Sequence, residues 1–224
     1  MYDWIAVNAL CDFEPGKLTG VLDMGGASTQ ISFLTKDGQF NAAVTINQRQ
    51  YPLFSHSFLG LGQDQAMMQF LNDQSCFNKG YILPDQRPGN GQFNLCEEHL
   101  RPLLEIHHQS FQEIPNTDKI PFIAMAGYYY EHQALKILKK SLKAQQLEMQ
   151  GRQWCDQPWS SFDTANPYLN SVCFRAAYEA TLLQNGFHFS KEKVINVLYS
   201  VNGYTIDWTL GVLFCKGMTC FQAE

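Results

Sequence analysis

The 224-residue chain has no run of eighteen apolar residues and no Lys/Arg cluster longer than the pair Lys139–Lys140. The first absence excludes a transmembrane helix within the sequence. The second, with a formal net charge of -5, argues against nucleic acid as the main partner. Residues 1–10, MYDWIAVNAL, lack a basic stretch and a cleavage site, so they do not read as a signal peptide. There is no CxxC pair, and no Cys/His grouping has zinc-finger spacing. Internal repeats and low-complexity segments are also missing. Four histidines, His56, His99, His132 and His188, are isolated, and His107 and His108 are adjacent and diverge on a helix. All six are assigned to surface or satisfied positions.

What remains can bury a sizeable core. The chain is 45% apolar and 17% charged, enough for one large domain or two small ones. Cysteines stand at positions 11, 76, 96, 155, 173, 215 and 220. Disulfides in an oxidising compartment account for that number. The local pairs Cys76/Cys96, Cys155/Cys173 and Cys215/Cys220 lie in turn-rich or terminal sequence and are expected to be bonded. Cys11 is left over as a small buried hydrophobe.

Along the chain, residues 2–10 read as a helix, broken by EPGK at 14–17. Residues 18–26 and 28–35 read as two strands, KDGQ at 36–39 as a hairpin-like turn, and 41–60 as a third extended stretch. The turn at 25–28 is expected at an edge of the resulting sheet. Residues 61–73 carry Ala66, Met67, Phe70 and Leu71 on one helical stripe. An irregular insertion spans 76–96, and a helix follows over about 97–113. Residues 119–127 read as a buried strand, 128–148 as helix, 150–168 as loop, and 168–186 as a helix stopped by Gly186. A strand at 193–201 and a helix start at 206–214 close the chain. This order predicts an α/β layer structure with a mixed sheet flanked by helices.

The stretch GVLDMGGASTQISFL, residues 20–34, interrupts strand material with a small, polar patch. Gly25 and Gly26 permit a tight turn with bare N–H groups, which suit a phosphate. Asp23 ends a strand, where ligands sit in open α/β sheets, and a carboxylate there can hold a divalent cation directly or through water. Ser28 offers a hydroxyl and Gln30 an amide able to orient water. Two residues apart on a strand, they share one face.

LDMGGASTQISF resembles the fourth conserved region of the nucleoside triphosphate diphosphohydrolases, the ecto-apyrase family. MYDWIAVNAL resembles the tail of that family's third region. PFIAMAGYYY resembles its aromatic segment after a core strand, and CFRAAY a segment with a disulfide cysteine. IDWTLGVLF resembles the fifth region, with Trp208, Thr209, Leu210 and Gly211 in register. The likeness runs from residue 1 to about 214. It implies an actin/sugar-kinase/Hsp70-type (ribonuclease H-like) fold, in which two α/β lobes each contribute one phosphate-binding hairpin.

By the same resemblance, Gly25, Gly26, Ala27 and Ser28 meet the terminal phosphate, and Ser28 and Gln30 position the attacking water. Asp23 and Trp208 act on a divalent cation, Mg or Ca, through water. Tyr130 and Tyr168 sandwich the base. The alternative for Trp208 is a core anchor. The family's first phosphate loop is absent, as is its catalytic glutamate, which falls two residues before the position of Met1. Residues 1–224 thus resemble the C-terminal lobe of a two-lobed enzyme, expected to be inactive without the N-terminal lobe. The implied activity is metal-dependent hydrolysis of nucleoside tri- and diphosphates, in a secreted, extracellular or periplasmic setting. Two other readings stay open: an exopolyphosphatase or guanosine-pentaphosphate phosphohydrolase, and a non-catalytic nucleotide-binding lobe. Gln30 in place of Glu, the cysteines and the fifth-region match disfavour the former.

Overall fold

The computed structural model describes residues 1–36, 38–163, 165–217 and 220–222. Its elements in chain order are α1 (Tyr2–Ala9), β1 (Gly20–Met24), β2 (Ser28–Leu34), β3 (Ala42–Ile46), β4 (Arg49–Leu59) and α2 (Gln63–Met68). Then come α3 (Phe93–Glu105), α4 (His108–Gln112), β5 (Phe122–Ala126), α5 (Gly127–Ala134), β6 (Ser141–Leu142) and α6 (Ala144–Asp156). The chain continues with α7 (Val172–Thr181), β7 (Ile195–Val197), β8 (Ser200–Val201), β9 (Tyr204–Thr205), α8 (Trp208–Gly217) and β10 (Phe221–Gln222).

One mixed sheet organises the molecule, in the strand order β10-β3-β4-β2-β1-β5-β7-β6. β1, β5 and β7 run parallel, whereas β1–β2, β2–β4 and β3–β4 pair antiparallel. Alternation along β1 sends Leu22 and Met24 to one face and Val21 to the other. Leu22 and Met24 join a large core closed by α3, α5, α6 and α7, with Leu100, Tyr128, Leu147 and Phe174 among its buried members. Val21 joins a second core under α1 and α8, built on Trp4, Ile5, Val7 and Tyr51. Helices on both faces of a partly parallel sheet give the expected three-layer α/β architecture.

Several boundaries differ from the sequence reading. The extended stretch at 41–60 is two strands, β3 and β4, joined by Asn47 and Gln48 at φ 49° and 65°. That is a two-residue hairpin turn without the glycine that usually announces one. The β1–β2 turn lies in the middle of the strand order, not at an edge. The helix read over 128–148 is two helices, because β6 intervenes and pairs with β7. Residues 150–156 continue α6 instead of forming a loop, and the helix read over 97–113 begins at Phe93 and breaks after Glu105. The turn at 36–39 includes Asp37, which lies outside the described residues.

Disulfides join Cys76–Cys96, Cys155–Cys173 and Cys215–Cys220, with Cα separations of 5.0, 5.0 and 4.7 Å. Cys11 is a free thiol, as expected, but it is exposed rather than buried. After α1 the chain turns through Asp12 and Phe13 at φ 53° and 47°. That turn packs Phe13 against Trp4 and Tyr51 and leaves Cys11 outside.

Candidate phosphate-binding site

The β1–β2 hairpin closes tightly, with Gly25 N–H donating to the Ser28 carbonyl at 3.0 Å. Its carbonyls are used by the start of α2. Gln63 N–H donates to Gly25 O at 2.9 Å, and Asp64 and Gln65 N–H both donate to Gly26 O at 3.0 Å. Gly60 N–H donates to Ala27 O at 2.9 Å. The hairpin therefore serves as the N-terminal cap of α2. Among the described residues, the Gly26 and Ala27 N–H groups meet no acceptor in the chain. Backbone donors fixed from behind and open in front can cradle an anion. A β-carbon at 26 would come within 2.5 Å of Asp64 Oδ2, so the Asp64 carboxylate would have to turn away to admit one. Glycine is required at 62 because a β-carbon would overlap the Gly26 and Ala27 carbonyl carbons.

Ser28 and Gln30 lie on one face of β2 and are bonded to each other. Gln30 Nε2 donates to Ser28 Oγ at 2.6 Å and to Ser57 Oγ at 3.0 Å. With both amide protons engaged, Oε1 is free to accept, and the Ser28 hydroxyl keeps its own proton to donate. Thr29 points the other way, is buried, and donates to Asp23 O at 2.7 Å.

Asp23 stands opposite Gln30 on β2 and Met125 on β5, at the carboxyl end of β1. Its pKa is pushed up to about 7, first by burial and next by the negative charge of Asp3. The Met1 amino group offsets part of that rise, and Asp207 adds to it. Asp3 is buried in α1, is raised mainly by burial, and has an Oδ1 without a hydrogen-bond partner. Asp207 starts α8, where its Oδ1 accepts from Leu210 N–H at 2.8 Å and Thr209 Oγ1 at 2.5 Å. Those bonds hold its carboxyl below the usual range. α8 reaches this place because Gly211 rests on the Tyr2 backbone.

Asp3 and Asp207 both raise Asp23, and Asp3 has a buried unpartnered oxygen, a set of carboxyls that can suit a cation. Among the described residues no three His, Cys, Asp or Glu side chains form a direct chelating group. A carboxylate such as Asp23 can hold a divalent ion directly or through water. Trp208 follows Asp207 and is 56% exposed, so it is not a core anchor.

Tyr130 and Tyr168 are 56% and 72% exposed. Tyr130 lies in the first turn of α5, which leaves β5 at Ala126, the register partner of Met24. Tyr168 precedes α7 and is tied to α5 through Arg175, whose Nε donates to Glu131 Oε2 at 2.9 Å and whose Nη2 donates to Tyr168 O at 3.2 Å. The structure thus brings Asp23, residues 25–28 and Gln30 together directly. Trp208 adjoins Asp207 in the chain, Tyr130 stands on α5, and Tyr168 precedes α7. Sequence reasoning missed Asp3, Ser57, Gly62, Asp207 and Arg175. Ser57 is legible only from register, as the partner of Gln30. Of the histidines, His132 is bonded to Lys139 O and His99 to Asp73, as a structural assignment requires.

Comparison with known proteins finds relatives over most of this chain. Ectonucleoside triphosphate diphosphohydrolase 1 of Bos taurus is 26% identical over 95% of this chain and 55% of its own length. Ectonucleoside triphosphate diphosphohydrolase 3 of Homo sapiens is 28% identical over 87% of the chain and 47% of its own length. Probable apyrase 3 of Arabidopsis thaliana is 24% identical over 98% and 56%. The chain therefore spans about half the length of the curated relatives it matches. In fold it is similar to nucleoside triphosphate hydrolases from Neospora caninum, with TM-score 0.60 and 15% identity over 95% of this chain and 62% of that one. It is also similar in fold to the Aquifex aeolicus Ppx/GppA phosphatase, with TM-score 0.52 and 15% identity over 95% and 61%. The model of the GDA1/CD39 (nucleoside phosphatase) family matches residues 1–220, and the chain belongs to that family.

Proposed function

We propose that residues 1–224 are the second lobe of a two-lobed nucleoside tri- and diphosphatase of apyrase type. The observation that carries this reading is the hairpin at 25–28: its carbonyls are consumed by α2, its Gly26 and Ala27 amides are open, and Asp23 stands beside it. In this reading the Gly26 and Ala27 amides and the Ser28 hydroxyl hold the terminal phosphate. Gln30 Oε1 accepts from the attacking water and aims it at phosphorus. Asp23, with Asp3, Asp207 and Trp208 around it, holds a Mg or Ca ion through water. The ion supplies neutralisation of the phosphate oxygens. As the water oxygen bonds to the terminal phosphorus, the bond from that phosphorus to the bridging oxygen breaks, the shortened nucleotide leaves, and the water proton passes to a base outside residues 1–224. Tyr130 and Tyr168 stack on the base, which tolerates any nucleobase. Three disulfides support placement in an oxidising, extracellular or periplasmic compartment.

The test is phosphate release from ATP and ADP with Mg²⁺ or Ca²⁺. The 224-residue chain alone is expected to show none above background, and adding the N-terminal lobe is expected to give turnover. Enzyme-like turnover by the chain alone overturns the location of the base. A reconstituted protein that binds nucleotide but never releases phosphate favours a non-catalytic binding lobe. A preference for polyphosphate over nucleotides favours the exopolyphosphatase reading, which the exposed Tyr130 and Tyr168 weigh against.

A further inference from the structure

Arg175, on α7, grips two segments at once. Its Nε donates to Glu131 Oε2 at 2.9 Å, and its Nη2 donates to Tyr168 O at 3.2 Å. Glu131 is fully buried and follows Tyr130 directly on α5. The other bonds at Tyr168 are local, from Tyr168 N–H to Asn166 Oδ1 and from Ser171 Oγ to Tyr168 O. Asn170 reaches farther, donating to Tyr81 OH, but that ties the segment to the 76–96 insertion and not to α5. Among the described residues, Arg175 is the side chain that couples Tyr168 to the helix bearing Tyr130.

The surroundings fix where the guanidinium spends its charge. Glu179 lies one turn farther along α7, is fully buried, and has neither carboxyl oxygen bonded. Burial raises its pKa well above the usual range, and the Glu131 charge adds to the rise. Neither Glu179 oxygen takes a bond from the guanidinium, whose donors go to Glu131 and to Tyr168 O. A planar fork with donors on separate nitrogens can serve Glu131 and Tyr168 O together. A lysine ammonium on its flexible stem can keep the ion pair but does not reproduce that geometry.

We propose that Arg175 is a positioning residue that fixes the spacing between Tyr130 and Tyr168, and thereby sets affinity for the nucleobase without acting on the phosphate. The inference rests on reading the two tyrosines as the base platform. Its test uses the two-lobed protein, with ATP and base-free inorganic tripolyphosphate compared as substrate or competitive inhibitor. R175K is expected to raise KM for ATP about tenfold, since base stacking is worth about 1–3 kcal/mol and partial misalignment forfeits part of it. It should leave kcat within twofold, the tripolyphosphate constants unchanged, and the melting temperature near that of the parent. Tyr130→Ala and Tyr168→Ala should raise KM for ATP more than the constant for tripolyphosphate. If either tyrosine variant raises KM for ATP and R175K does not, the role of Arg175 is overturned while the platform stands. If R175K shifts ATP and tripolyphosphate equally, Arg175 acts on the fold or the phosphate, and the proposal falls. If none of the three variants changes the ATP-to-tripolyphosphate ratio, the platform reading fails and takes the inference with it. Should R175K not fold, Glu131→Gln serves in its place. It keeps the bond to Tyr168 O but loosens α5, and an unchanged KM ratio in that variant overturns the coupling.

Discussion

Gly62 lies flat against the peptide of Ser28, so close that a β-carbon at 62 would overlap the Ser28 nitrogen. This contact sets the hairpin against the start of α2. Gly62→Ala must push the two apart. Overpacking of this kind costs about 1–3 kcal/mol, which chemical denaturation of the 224-residue chain will read. In the two-lobed protein the same variant should lower kcat, because the amides of Gly26 and Ala27 lose their backing. A variant with unchanged stability and turnover would show that the hairpin does not depend on this contact.

The second prediction separates Gln30 from its supports. Gln30→Ala removes the free Oε1 and should cost on the order of 10²-fold in kcat, the scale for losing one preorganised polar group. Ser57→Ala removes only the outer of the two amide anchors, at 3.0 Å. It should cost less than about tenfold, because the 2.6 Å bond to Ser28 still orients the amide. Steady-state kinetics on the reconstituted protein decides. Equal losses in the two variants would mean that Gln30 acts through strand packing and not through water.

Much of this site is local in the chain, which is why it was legible. Asp23, Gly25, Gly26, Ala27, Ser28 and Gln30 fall within eight residues, so a turn and an alternating strand suffice to cluster them. The three bridges were legible for the same reason, since their partners are at most 20 residues apart. Ser57 and Asp207 reach the hairpin only through register and helix packing, which the sequence does not print. The β3–β4 turn was hidden because Asn47 and Gln48 adopt positive φ without a glycine. Cys11 was misplaced because its burial depends on how the chain leaves α1.

The carboxylate cluster yields a third prediction. Asp23→Asn removes a carboxyl that burial, Asp3 and Asp207 raise, while Asp207 remains capped on α8. In the 224-residue chain the variant should gain stability near neutral pH, where the parent must ionise Asp23 beside Asp3. In the two-lobed protein it should lose activity that added Mg²⁺ or Ca²⁺ restores only at higher concentration. A variant whose cation requirement matches the parent would remove Asp23 from the cation's surroundings.

The last prediction uses a carboxyl far from the hairpin. Glu97 on α3 has its pKa pushed up to about 7, first by burial and then by the charge of Glu148. Arg152, 3.7 Å from both carboxylates, offsets part of that rise. In the unfolded chain a glutamate titrates near 4.3. Between about 4.3 and about 7 the folded state therefore holds a proton that the unfolded state has released. Stability from this group is fully present below that window and falls as pH rises through it. Above about 7 both states are ionised and the slope vanishes. Glu97→Gln removes the term, so its melting temperature should fall less than that of the parent between pH 5 and pH 7.5, values chosen on the order of one unit inside and just beyond the window. The variant should accordingly gain on the parent as pH rises. Parallel melting curves across that range would show that Glu97 ionises alike in the folded and unfolded chains.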